Sequence, residues 1–74
     1  MKTKIRLDTI TDAAKFVSIC SRFDDCVNIY IKDSKGMCVN AKSLMGAIYS
    51  LEFTEIWCES DIDIYTAIKD FAVE

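Results

Sequence analysis

The sequence has no histidine and no proline, and none of its apolar runs approaches the length of a membrane span. The missing histidine excludes most. It removes the usual neutral-pH general base, the commonest metal ligand and any phosphohistidine chemistry. At 74 residues the chain is also too short for a barrel, a dinucleotide-binding fold or a multi-domain enzyme. Chains of this size bury only about 60% of the surface that their unfolded form exposes. These limits predict one domain over residues 1–74, a small binding or regulatory module with no catalytic residue.

There is no CxxC pair either. The four cysteines, Cys20, Cys26, Cys38 and Cys58, are separated by 6, 12 and 20 positions, which matches no zinc finger or ribbon. An even number of cysteines in a short chain raises the idea of a disulfide framework. Against it, the opening Met1–Asp8 has no apolar signal region, and a chain that is 51% apolar needs no covalent staples. The expectation is free, buried thiols in a cytoplasmic protein with no metal and no cofactor.

Nine basic residues stand against twelve acidic ones. This balance predicts neither a nucleic-acid nor a membrane partner. Residues 1–37 hold seven basic and five acidic side chains, whereas residues 38–74 hold two and seven. Such asymmetry steers a partner if the halves stay apart in space, and simply solvates the surface if they interleave.

Along the chain, Lys2 to Asp8 alternates, with Ile5 and Leu7 on one face: a half-buried strand. Thr9 to Asp12 supplies hydroxyls for an N-cap and an acid for a first turn. Ala13, Phe16, Val17 and Cys20 then recur at helical spacing up to about Phe23. A second strand runs from Cys26 to Lys32, Asp33-Ser34-Lys35-Gly36 forms a hairpin turn, and Met37 to Ala41 returns with Met37, Val39 and Ala41 inward. Ser43 to about Leu51 is a short apolar helix, and Thr54 to Glu59 a fourth strand with Trp57 outward. Ser60 and Asp63 open a last helix with the buried stripe Ile64, Tyr65, Ile68, Phe71 and Ala72. The order βαββαβα predicts a two-layer α+β domain, three helices against one sheet whose outer face is open. That face would carry Lys4, Arg6, Asn28, Tyr30, Asn40, Glu55 and Trp57. Tyr30 and Trp57 would be an exposed aromatic pair of the kind that marks a contact site.

The stretch Val39-Asn40-Ala41-Lys42-Ser43-Leu44-Met45-Gly46, continuing into Ser50-Leu51, resembles HPr, the histidine-containing phosphocarrier of the bacterial sugar phosphotransferase system. The resemblance implies the HPr-like open-faced β-sandwich with a four-stranded antiparallel sheet. It also locates a loss. In HPr a histidine at the start of the first helix, followed by arginine and proline, takes phosphate from enzyme I and passes it to sugar permease components. Here that region reads Asp8-Thr9-Ile10-Thr11-Asp12-Ala13, several residues shorter, with none of the three. Thr9, Thr11 and Asp12 would thus form a degenerate phosphate site, with a carboxylate where an anion would bind.

A second family position is retained. In the HPr proteins of many Gram-positive bacteria, the serine of the Lys-Ser-aliphatic-Met-Gly motif is phosphorylated by an ATP-dependent kinase. The phosphorylated form binds a transcriptional regulator in carbon catabolite repression. By resemblance the modified serine is Ser43, and Lys42, Leu44, Met45 and Ile48 would contact a partner. A phosphate on Ser43 would sit at a helix start beside Lys42. The residues alone leave a second reading open, in which Ser43 is simply an N-cap.

Two functions follow from the resemblance. One is a regulatory or binding module without phosphocarrier chemistry, whose partners are proteins: a serine kinase, and a transcriptional regulator or metabolic enzyme. The other is a phosphocarrier with an unusual acceptor, Asp12 or a cysteine. A third function, from the residues alone, is a weakly self-associating interaction domain using Tyr30 and Trp57.

Overall fold

The structure, a computed structural model, describes residues 1–73. Its elements are β1 (Lys2–Ile5), α1 (Ile10–Cys20), β2 (Ile29–Lys32), β3 (Cys38–Asn40), α2 (Leu44–Tyr49), a 3-10 turn (Ser50–Glu52), β4 (Ile56–Ser60) and α3 (Tyr65–Ile68). The strands form one antiparallel sheet in the order β1-β4-β2-β3, covered on one face by the helices. The predicted open-faced α+β architecture is the one observed.

Period-two alternation builds the sheet. Thr3 and Ile5, Ile29 and Ile31, and Ile56, Cys58 and Ser60 turn inward and are buried. The register sets Thr3 beside Cys58, Cys58 beside Ile31, and Ile31 beside Val39, one continuous row under the helices. Over it α1 lays Ala13, Phe16 and Cys20, α2 lays Ala47, and the last segment lays Ile64 and Ile68. Phe16 is fully enclosed, and its ring meets Phe71 edge to face at 5.5 Å. Burying one such side chain contributes about 1.5–3 kcal/mol.

The hairpin between β2 and β3 closes with Asp33 N–H on the Met37 carbonyl (2.9 Å) and Gly36 N–H on the Asp33 carbonyl (3.2 Å). Gly36 has φ +96°, a conformation that L side chains rarely adopt. This agrees with a turn read at Asp33–Gly36.

Other boundaries differ, each for a local reason. The first strand ends at Ile5 rather than Asp8, because β4 begins at Ile56 opposite it and the Arg6 N–H goes to the Phe71 carbonyl (2.8 Å); Leu7 remains buried. α1 stops at Cys20 instead of about Phe23, as the Arg22 and Phe23 N–H groups tighten onto Ile19 and Cys20. β2 starts at Ile29 and not Cys26, because Asp24 draws the Cys26 and Val27 N–H groups into a turn. α2 ends at Tyr49 and tightens into the 3-10 turn, where Ser50 Oγ donates to the Ala47 carbonyl at 2.6 Å. β4 is shifted to Ile56–Ser60, so Ser60 is a strand residue and not a helix cap.

The last helix is the largest departure. α3 has four residues, and Asp63 Oδ1 accepts from the Tyr65 N–H at 2.9 Å. Ile64 and Ile68 are buried as expected, but Tyr65 is exposed. Phe71 and Ala72 leave the helix to bridge the edge of β1, where Ala72 pairs with Ile5 and the Val73 N–H reaches the Lys4 carbonyl at 3.0 Å. Met37, read as inward, is exposed because it sits at the hairpin end of an edge strand. Cys20 and Cys58 are buried, whereas Cys26 and Cys38 are exposed, one in the turn before β2 and the other on the outer face of β3. Among the described residues no helix is long and apolar enough to cross a membrane.

Candidate functional site

Two helix starts carry the candidate residues. At α1, Thr9 is the N-cap in extended conformation, and its Oγ1 accepts from the Asp12 N–H at 3.1 Å. The Asp12 carboxylate reaches back to the Asp8 N–H at 3.1 Å, closing the turn from the other side. Asp8 in turn pairs with Arg6 at 3.0 Å on the exposed surface. Thr11 is exposed beside them. The helix start therefore already holds a carboxylate where a phosphate would otherwise be favoured. Lys15 lines a groove with Arg22 and Asp70 further along the helix.

At α2, Ser43 is the N-cap, and its Oγ accepts from the Gly46 N–H at 3.3 Å. Asn40 supports the turn twice, its carbonyl accepting from the Ser43 N–H (3.0 Å) and its side-chain oxygen from the Lys42 N–H (2.8 Å). Gly46 permits the close approach of the helix to β3. A Cβ there would lie 3.1 Å from the Asn40 carbonyl oxygen and 3.3 Å from Val39 Cβ. The Ser-aliphatic-Met-Gly pattern is thus read locally as a cap, two surface residues and a tight helix–strand contact.

The Lys42 ammonium makes a contact that the sequence reading did not anticipate. It donates to the Asp24 carbonyl at 2.8 Å, tying the turn after α1 to the start of α2. The sequence reading set this charge beside Ser43. The Cys26 N–H holds the Asp24 carboxyl below its ordinary range, and the Lys42 charge adds to that effect.

Leu44 and Met45 are both exposed, at 47% and 83%, while Ile48 is half-buried against the core. Ile48 is therefore less available to a partner than its two neighbours. Tyr49, absent from the sequence-derived site, is 51% exposed and packs edge to face on Phe53 at 5.8 Å. The signal for it was its spacing of four from Met45, which puts both on one helix face.

The outer sheet face is less open than expected. Trp57 is half-buried, with the Lys2 ammonium 5.2 Å from its ring centroid and its Nε1–H donating to Glu55 at 3.1 Å. Lys32 and Glu59 pair across the sheet at 3.1 Å. Only Tyr30 of the two aromatics is exposed. Burial pushes the Cys20 and Cys58 thiols up to about 12, so neither is a thiolate nucleophile near neutral pH. Among the described residues no cluster of three or more cysteines and carboxylates is arranged to hold a metal ion.

A crystal structure of the phosphocarrier protein HPr from Bacillus anthracis str. Ames matches the chain with a TM-score of 0.67. The match covers 97% of this chain and 89% of that one, at 28% sequence identity. The chain is HPr-like. No protein-family model and no curated protein matches it. An HPr-like fold points to a protein related to the phosphotransferase system.

Proposed function

We propose that this HPr-like chain is a single-domain, non-catalytic regulatory or binding module of the bacterial cytoplasm that presents the Ser43 turn of α2 to protein partners. The observation that carries the reading is the exposed serine cap followed directly by the exposed Leu44 and Met45. An apolar pair left in solvent beside a modifiable hydroxyl suits a contact that one charge can switch. Phosphorylation would add about −1.5 to −2 charges at the start of α2. The Lys42 ammonium is close enough in sequence to leave the Asp24 carbonyl and meet it. The partners on this reading are a serine kinase, and a transcriptional regulator or metabolic enzyme that contacts Lys42, Leu44, Met45 and Ile48.

The lack of a histidine and the carboxylate at the start of α1 support a regulatory role over a phosphocarrier one. Of the alternative acceptors, Asp12 is engaged by the Asp8 N–H, Cys20 and Cys58 are buried, and the exposed Cys26 and Cys38 lie in the turn before β2 and on β3 rather than at the start of α1. The test has two arms. With ATP and an HPr serine kinase, the wild type gains one phosphate and Ser43→Ala none; no incorporation in the wild type leaves Ser43 as a cap alone. With phosphoenolpyruvate and enzyme I, no labelled protein accumulates. A phosphorylated species in that arm overturns the non-catalytic reading.

A further inference from the structure

Each edge of a β-sheet presents a row of unpaired N–H and C=O groups that must be covered or blunted. The β1 edge is covered by this chain's own last residues, through the Arg6 N–H to Phe71 and the Val73 N–H to Lys4. The β3 edge has no such cover among the described residues. Asp33 N–H bonds Met37, and Ala41 N–H bonds Ile29, so these pairs mark where the β2–β3 backbones face each other. By the antiparallel alternation, Met37, Val39 and Ala41 turn their backbone groups toward β2, while Cys38 and Asn40 turn theirs outward. Asn40 spends its carbonyl on the Ser43 N–H. The Cys38 N–H and C=O and the Asn40 N–H remain facing away from the sheet. The strand carries neither a proline nor a lysine, and it is protected only by being short.

We propose that two copies of this chain associate edge to edge through β3, in an antiparallel pairing centred on Cys38. In that pairing the two Cys38 residues exchange N–H···O=C bonds, and each Asn40 N–H meets the Gly36 carbonyl of the second copy. On the helix side each Met37, which is 46% exposed, lies opposite the half-buried Val39 of the second copy. An apolar pair is thereby covered twice over, as a two-fold interface requires. Charge favours the same arrangement. The hairpin end of the edge carries Asp33 and Lys35, and at the other end Asp25 and Lys42 line one shallow pocket with Asn40. Antiparallel pairing brings these ends together with a carboxylate and an ammonium on each side. Parallel pairing would set Lys35 against Lys35. The pairing runs through backbone groups of the β3 edge and does not depend on Ser43 being modified.

The Cα atoms of such a central pair lie about 5.5 Å apart, within the range a disulfide spans. Cys38 is therefore a built-in reporter. Reduced wild-type protein is followed by sedimentation velocity over a rising concentration series, and its oxidation by diamide is mapped by peptide mass spectrometry. The expected result is concentration-dependent dimerisation, a Cys38–Cys38 cross-link that Cys38→Ser abolishes, and a dissociation constant raised at least about tenfold by Met37→Lys. Met37 is solvated in the monomer, so this substitution leaves the fold intact, as its circular dichroism would verify. A monomer at every concentration overturns the proposal. So does cross-linking that runs mainly through Cys26, or a dimer that survives Met37→Lys but is lost in Trp57→Ala.

Discussion

Replacing Ser43 separates its two roles by stability alone. In Ser43→Ala the α2 N-cap loses the oxygen that accepts from the Gly46 N–H at 3.3 Å. N-cap losses cost about 1 kcal/mol, but this bond is long and exposed, which puts the expected cost at about 0.5–1 kcal/mol. For a domain of this size, that is a fall of about 2–8 °C in Tm. Ser43→Asp keeps an acceptor in the same place and adds a negative charge at the helix start, where cap and dipole both favour it. It should stay within about 0.5 kcal/mol of the wild type. Urea denaturation and thermal melts followed by circular dichroism measure both variants. An Ala variant as stable as the wild type would refute the capping argument. An Asp variant as unstable as the Ala variant would show that the first turn of α2 rejects negative charge, and would remove the physical case for a phosphate there.

The thiols give two further outcomes. At neutral pH a thiol reagent should modify Cys26 and Cys38 in the native protein, and Cys20 and Cys58 only after denaturation; four reactive thiols in the native state would contradict the buried pair. Since burial raises Cys20 and Cys58 from 9.0 to about 12, the folded protein holds protons that the unfolded chain releases. This stabilisation is complete below pH 9 and is lost as pH rises toward 12, at up to about 1.4 kcal/mol per unit for each thiol. A urea midpoint that stays flat through that window would be inconsistent with it. In Gly36→Ala nothing crowds the new Cβ, so the cost is conformational alone, from φ +96°, and should be about 1–2 kcal/mol by urea denaturation. A stabilised variant would show that the turn is built differently.

Much of the fold was legible because its signals are local. Alternation at Ile29 and Ile31, and at Ile56 and Cys58, marks strands through the two-residue period of the extended chain. The stripe Ala13, Phe16 and Cys20 marks α1 through its 3.6-residue period, and Thr9 and Ser43 are caps by their chemistry and position. Ser43, Leu44 and Met45 were singled out by the resemblance of their motif to HPr, and of this only the Ser43 cap was legible from local chemistry. What was not legible depends on partners distant in sequence. Phe71 and Ala72 fit a helical stripe as well as a bridge to β1, and only the free edge of β1 decides between them. The contact of Lys42 with the Asp24 carbonyl spans 18 residues, and no spacing rule predicts it.

The absence of histidine, the strand and helix periods, and the serine cap belong to the sequence alone, since each follows from residue chemistry or from contacts within a turn. Whether a residue with the right period is actually covered belongs to the tertiary structure. Met37 and Tyr65 share the pattern of core residues yet are solvated, and Cys38 is exposed on the outer face of an edge strand, whereas Cys58 faces the helices from a central one. Burial depends on what packs from the other side, and strand order, which sets that, is chosen by the whole chain at once.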